Sequence, residues 1–189
     1  MKYDINWVIK KYEKEKKLKY IFFWGHKPSC DSDDQGKFML SQWFEAPFTV
    51  KKRTYPTAEH WMMSEKALLF KDYDTHDAIH ATKSPSVAKA LGRQVKGFDM
   101  KIWELHRFNI VKTGNKHKFS QNPDLLNYLL ASKDRILVEA SPFDTIWGIG
   151  LRATYGDIEN PNSWLGLNLL GFALMEVRDL LGKKLVVSG

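Results

Sequence analysis

The sequence predicts a single, helix-rich α+β domain with a small sheet formed mainly by the N-terminal third of the chain. Three observations lead to this prediction. The chain has 189 residues, 43% of them hydrophobic, which is enough for one substantial core. Most short aromatic and β-branched runs of strand length lie before residue 56, whereas most of the longer segments with the apolar spacing of helices follow it. No internal repeat and no linker-like stretch divides the chain.

The N-terminal third carries most of the predicted strands. Residues 4–19 predict a charged amphipathic helix, with Ile5, Val8, Ile9 and Tyr12 on one face. The segments that follow it are aromatic or β-branched and end in polar or glycine-containing turns. Strands are predicted at residues 20–24, 48–50 and 53–55, and a further apolar stretch at residues 38–44.

The rest of the chain predicts helices, one strand and a long loop. Ser84 is a helix cap followed by a proline, Pro85, and Asn168 and Gly182 are placed to begin and end the last helix. One helix is predicted to run from residue 59, and further helices are predicted at residues 75–81, 86–93, 99–118, 122–130 and 169–181. The apolar residues of the helix at 99–118 are Ile102, Leu105, Phe108 and Ile110. A strand is predicted at residues 136–140 and a loop at residues 148–163.

Composition and charge exclude several classes of protein. The formal net charge of +7 favours anionic partners such as phosphates or nucleic acid, but much of the excess lies in the mixed-charge run at residues 10–19. The single cysteine, Cys30, excludes an intrachain disulfide and a cysteine-rich metal site. The N-terminus has no apolar signal core, and no apolar run is long enough to span a membrane. We therefore expect a cytoplasmic protein without a membrane partner.

Three motifs imitate functional sites without completing one. Residues 31–36 match the first half of a calcium loop but lack the glutamate at its twelfth position, so they predict a hairpin turn. His76 and His80 have the spacing of a zinc helix without its glutamate or an obvious third ligand. Cys30 lies beside acidic residues that do nothing to favour a thiolate nucleophile. We expect neither a metal nor a cofactor.

The most informative stretch is residues 55–66, which predicts the start of a helix with a carboxylate and an amine on one apolar face. A proline and a threonine at its beginning suit the first turn of a helix. Helical spacing then aligns Glu59 and Lys66 with two methionines between them. Charges on a buried face are costly without a partner or a purpose, so the alternatives are a structural ion pair and site chemistry.

Further polar and aromatic residues lie in apolar contexts outside this helix. Arg93 follows the proline-capped helix, Glu139 lies in a predicted strand, and Asp144 and Trp147 lie in the turn after that strand. Together with Glu59 they supply a carboxylate, a cation for phosphate and an aromatic plane. These are the parts needed to cleave a bond between a sugar and a heterocycle.

The same segments resemble the NADAR family, also called YbiA-like, whose members resemble one another through short sequence blocks. The resemblance divides the chain into an N-terminal basic helical extension at residues 1–19 and a NADAR-like domain at residues 20–182. The chain departs from the family pattern at Gln42, where Asn is usual, and at Glu65, where many members carry Gln. The matching blocks lie at residues 22–25, 40–43, 55–60 with 65–67, 84–93, 139–148 and 168–178.

The resemblance implies an N-glycosidase that hydrolyses the C1–N bond of a phosphorylated ribosylamine. The foremost substrates are phosphoribosylamino-pyrimidine intermediates of riboflavin biosynthesis. An alternative is hydrolysis of ADP-ribosyl-guanine, with nucleic acid as the carrier of the substrate. A second alternative is a non-catalytic nucleotide or nucleic-acid binding module, because basic and aromatic residues are abundant. The oligomeric state is not predicted.

Each candidate residue has an expected role in such a reaction. Glu59 is expected to stabilise charge at C1 and to activate water. Lys66 is expected to bind phosphate, to orient Glu59 or to trap an opened sugar aldehyde as an imine. Asp144 is expected to protonate or hydrogen-bond the leaving heterocycle. The residues expected to bind the substrate are Trp24 and Trp147 by stacking, Gln42 by lining the pocket, and Arg93 by holding phosphate, with Lys96 as a weaker second.

Overall fold

The computed structural model of the chain describes residues 1–15, 17–27 and 36–187. Cys30 and the predicted turn through residue 35 lie outside these ranges, so their interpretation stays a prediction. The chain divides into two compact units. The terminal unit comprises Met1–Ser41 and Asp124–Gly189, and the central unit comprises Gln42–Pro123. Helices combined with small sheets confirm the predicted α+β class.

The terminal unit is built on a two-stranded parallel sheet. Strand β1 (Tyr20–Phe23) pairs with strand β4 (Ile136–Glu139), with Tyr20 opposite Ile136. The first three residues of β4 are almost completely buried, as is usual for a parallel strand that is covered on both faces. The helices of this unit are α1 (Ile5–Lys14), α6 (Pro123–Ala131) and α7 (Leu169–Val187), of which α7 packs on β4.

Asn168 joins the start of α7 to β4 and differs from its predicted role. Its side chain does not cap the helix; Nδ2 donates to the carbonyl of Leu137 and Oδ1 accepts from the N–H of Glu139, each at 2.9 Å. The amide group thus takes the place of a neighbouring strand, and a positive φ of 51° brings it there. Next to it, a Cβ at Gly171 would lie 2.1 Å from the Leu137 carbonyl oxygen, so only glycine allows this approach.

We expect the isosteric change Asn168→Asp to destabilise the protein by at least about 2 kcal/mol, because a buried donor becomes an acceptor that faces the Leu137 carbonyl. Urea unfolding measures this as a lower midpoint. The control is Asn127→Asp on the exposed side of α6. Equal midpoints in the two variants would contradict the assigned hydrogen bonds.

The central unit surrounds helix α2 (Ala58–Leu69) with other helices and one hairpin. Strands β2 (Phe48–Val50) and β3 (Arg53–Tyr55) form the antiparallel hairpin, which confirms two predicted strands. The helices that pack on α2 are α3 (Tyr73–Ala81), α4 (Pro85–Arg93) and α5 (Met100–Gln121).

Helix α2 is buried for most of its length because two glycines let its neighbours approach. A Cβ at Gly92 of α4 would lie 2.0 Å from the Met63 sulfur, and one at Gly114 of α5 would lie 2.2 Å from Cδ1 of Trp61. The helix begins as predicted: the Thr57 hydroxyl accepts the N–H of His60. The α4 helix is likewise capped by the predicted serine.

The largest differences from the predicted helix bounds lie at the ends of α1 and α7. Helix α1 ends at Lys14 rather than residue 19, because the apolar stripe that would bury a longer helix stops at Tyr12. Helix α7 continues to Val187 through Gly182, a glycine that a helix tolerates at a cost of about 1 kcal/mol. Within the described ranges, no helix has the length and apolar character needed to cross a bilayer.

Candidate active site

Glu59 lies at the beginning of α2 in the central unit, with 2% of its surface exposed. Its N–H donates to the backbone carbonyl of Gln42 at 3.0 Å. The free N–H groups in the first turn of a helix favour a carboxylate at this position. The predicted placement of a carboxylate on the buried side of a helix start is therefore what the structure has.

Gln42 connects Glu59 to helix α5. Its Nε2 donates to Oδ1 of Asn115 at 3.1 Å, and Nδ2 of Asn115 donates to the Val111 carbonyl at 2.9 Å. Gln42 is 8% exposed, and its buried Oε1 has no hydrogen-bond partner among the described residues. A buried acceptor without a partner costs about 1–3 kcal/mol, so a ligand that donates to it would recover that energy.

Lys118 is a candidate that the sequence reasoning missed. It lies one turn after Asn115 on α5 and is completely buried, with Nζ 5.7 Å from the ring centroid of Phe44 and 5.3 Å from that of Phe119. Burial in this apolar setting lowers the pKa of Lys118 from 10.5 to about 7. An amine with such a pKa is partly uncharged near neutral pH, and only the uncharged form is a nucleophile.

The buried face of α5 also explains why Lys118 was missed. The predicted apolar residues Ile102 and Leu105 are exposed, at 43% and 77%. The buried face runs instead along a second helical stripe that includes charged and polar side chains. Its members are Trp103, Arg107, Val111, Gly114, Asn115, Lys118 and Phe119. Recognising that second stripe, which starts at a tryptophan, is the signal that would have found Lys118.

Lys66 lies at the other end of α2 from Glu59. Seven residues of helix separate them by about 10.5 Å along the axis. The Lys66 amine donates to the carbonyl of Gly92 at 2.7 Å and lies 4.1 Å from the ring centroid of Phe98. Partial burial lowers the pKa of Lys66. Arg93, the residue after Gly92, is the last residue of α4 and is exposed.

The remaining predicted residues lie in the terminal unit. Oδ1 of Asp144 accepts the N–H groups of Ile146 at 2.9 Å and of Trp147 at 2.7 Å, so the carboxylate holds the turn that carries Trp147. Trp24 is 53% exposed, and its ring centroid lies 6.0 Å from that of Phe143. The structure thus joins Asp144 to Trp147 directly and places Trp24 against the residue before Asp144.

The described ranges contain no group of three or more His, Cys, Asp or Glu side chains arranged to hold a metal. The two histidines with zinc-like spacing have other contacts. Nδ1 of His76 lies 2.9 Å from Oδ1 of Asp77, and Nε2 of His80 lies 3.1 Å from the Ser64 hydroxyl. Their ring centroids are 4.6 Å apart.

Comparison with known proteins identifies the family. The NADAR domain family model matches residues 22–182, so this chain belongs to the NADAR family, as the resemblance predicted. The chain is 42% identical over 166 residues to N-glycosidase R617 of Acanthamoeba polyphaga mimivirus. That alignment covers 85% of this chain and 95% of the viral protein. The chain is also 33% identical over 150 residues to N-glycosidase YbiA of Escherichia coli strain K12. That alignment covers 79% of this chain and 84% of the YbiA chain.

A solved structure supports the same relationship. The NMR structure of E. coli YbiA superposes with a TM-score of 0.69 at 27% sequence identity, over 93% of this chain and 92% of that chain. Fold and relatives together make this chain an enzyme of the N-glycosyl hydrolase class. The roles of its individual residues remain predictions.

Proposed function

We propose that this enzyme hydrolyses the C1–N bond of a phosphorylated ribosylamine. The observation that carries the proposal is the almost completely buried Glu59 carboxylate at the beginning of α2, bonded through its backbone to Gln42. The foremost substrates are phosphoribosylamino-pyrimidine intermediates of riboflavin biosynthesis. In these compounds a ribose 5-phosphate is joined through C1 to the amine of a heterocycle.

Glu59 has the properties that cleavage of this bond requires. Positive charge develops on the ribose as the C1–N bond breaks. A carboxylate that is already in place stabilises this charge and takes a proton from the attacking water. Water adds a hydroxyl to C1, and the heterocycle leaves as an amine with the proton. The buried acceptor of Gln42 is suited to a hydroxyl donor on the sugar.

Two amines are candidates for further roles in the reaction. Lys118, with a pKa of about 7, is the proposed nucleophile toward an opened sugar aldehyde. Its amine and the aldehyde form an imine and release one water, and hydrolysis consumes one water to regenerate the amine and the aldehyde. Lys66 donates to the Gly92 carbonyl, one residue before Arg93, and we assign phosphate binding to these two cationic residues. This division differs from the expectation that gave all amine chemistry to Lys66.

Asp144 is tested by two variants that separate catalysis from structure. If it donates a proton to the leaving heterocycle, we expect Asp144→Asn to lower turnover by about 10²-fold, because the amide keeps an acceptor for the Ile146 and Trp147 amides but cannot act as an acid. Asp144→Ala should in addition lower the melting temperature. Full turnover in Asp144→Asn would limit Asp144 to the turn.

A second substrate class, ADP-ribosyl-guanine carried on nucleic acid, is favoured by the net charge of +7. A mass-spectrometric assay of the pure protein distinguishes the two. Release of ribose 5-phosphate from a phosphoribosylamino-uracil supports the metabolite hydrolase, and release of ADP-ribose from modified guanine DNA supports the second class. Salt-sensitive binding without release of either product would instead support the non-catalytic binding module.

A further inference from the structure

A cavity of about 500 Å³ opens in the central unit on a different side of α2 from Glu59. One of its lining residues is Glu65, which follows Glu59 by six positions and so lies about 9 Å further along the helix and about 120° around it. The volume is within the range of small-molecule sites. The lining comes from the hairpin, α2 and α3, and none of it was predicted as part of the active site.

Three aromatic side chains form part of the wall of this cavity. Tyr55 and Trp61 are buried and meet edge to face with ring centroids 5.1 Å apart, while Tyr73 is exposed at the rim. The indole N–H of Trp61 donates to the Ile110 carbonyl at 2.8 Å, which fixes the ring in place. Rigid aromatic walls of this kind suit a flat heterocycle.

Glu65 is one of the polar residues that line the cavity; the others include Arg53, His76 and Asp77, whose side chains contact one another. Burial raises the pKa of its carboxyl, whereas His76 and Lys51 lower it. An ionised carboxylate only accepts hydrogen bonds and has two parallel acceptor oxygens. The best match on a flat ring is an edge with two adjacent N–H donors, as guanine has. The corresponding edge of adenine has one donor and one acceptor.

The rim carries positive charge at the tip of the hairpin. Lys51 and Lys52 occupy the turn with φ angles of 48° and 68°, and Lys51 lines the cavity. Arg53 follows, with Nη1 3.7 Å from Oδ1 of Asp77. A phosphate group is the anion that such a rim fits, since Arg and Lys both bind phosphate oxygens.

We infer that this cavity is a guanine mononucleotide site, with the base against Tyr55, Trp61 and Tyr73, its N–H edge on Glu65 and its phosphate at Lys51 and Arg53. The inference goes beyond the proposed hydrolase activity and does not depend on it, because it concerns binding away from Glu59.

Calorimetric titration of the full chain with GMP and with AMP at low salt tests this inference. GMP should bind more tightly than AMP. Glu65→Gln should weaken GMP binding about tenfold or more and should not weaken AMP binding, because a glutamine amide matches the donor and acceptor of adenine. Glu45→Gln, an exposed change of the same kind in the same unit, should leave both affinities unchanged.

A second pair of variants tests the phosphate position. Lys51→Met should weaken GMP binding several-fold and remove part of its salt dependence, whereas Lys52→Met alters the adjacent, similarly strained turn residue without touching the cavity. Equal affinities in these two variants, equal binding of GMP and AMP, or no binding at millimolar GMP would overturn the inference. So would GMP binding that is lost in Glu59→Gln but retained in Glu65→Gln, because the nucleotide would then occupy the candidate active site.

Discussion

Replacement of Glu59 by Gln is expected to lower turnover by about 10²–10⁴-fold while the protein stays folded. The side chains have the same shape, so the backbone hydrogen bond to Gln42 and the packing of α2 are preserved. What is lost is the negative charge that stabilises the ribose cation and the base that activates water. The amide supplies neither.

The measurement is the rate of product release by mass spectrometry, with each substrate class tested separately. Melting temperatures of both proteins check that the fold is retained, and the change should be small because the charge effect at a helix start is about 0.3–1 kcal/mol. Glu45→Gln is the control for loss of an exposed carboxylate. Unimpaired turnover in Glu59→Gln would remove Glu59 from the mechanism.

Replacement of Lys118 by Met is expected to lower turnover by about 10²-fold or more and to change the pH dependence of stability. Methionine has a similar length and suits the apolar surroundings formed by Phe44 and Phe119. The folded protein releases the Lys118 proton near pH 7, whereas the unfolded chain holds it until about pH 10.5. Between these values the unfolded state binds more protons, so the free energy of unfolding rises with pH.

The Lys118→Met variant should lack this rise. In the unchanged protein the rise between pH 7 and about pH 10.5 amounts to a few kcal/mol in the free energy of unfolding. Urea unfolding at pH 6, 8 and 10 measures it, and Lys101→Met at an exposed position of α5 is the control. Below pH 7 both states hold the proton, and the two curves should run parallel. Full turnover combined with the lost pH dependence would make Lys118 a structural residue, and an unchanged pH dependence would contradict its depressed pKa.

The sequence predicted the elements whose causes are local. Thr57 and Ser84 begin their helices where the pattern places them, because a hydroxyl bonds to N–H groups of the turn that follows it. The hairpin strands β2 and β3 were also predicted from local sequence, because two short β-rich segments are separated by only two residues. Glu59 was also found locally, from its position at a helix start.

Contacts between residues far apart in the sequence could not be predicted from local patterns. Nothing in residues 20–23 indicates that they pair in parallel with residues 136–139. Asn168 has the sequence position of a helix cap, but its side-chain amide forms hydrogen bonds with the backbone of Leu137 and Glu139 in β4 instead. Ile102 and Leu105 of α5 look apolar in the sequence but are exposed, because α2 packs on the stripe of α5 that contains Gly114, where close approach is possible.

By itself the sequence determined the fold class, the family and the carboxylate at the start of α2, because these follow from short blocks and local hydrogen bonds. Only the tertiary structure decided which polar side chains are buried, among them the Gln42–Asn115 pair and Lys118. It also decided that a cavity lies beside Glu65. The physical reason is desolvation. The chemistry of an amine or a carboxylate depends on the surroundings that folding places around it, and those surroundings come from distant parts of the chain.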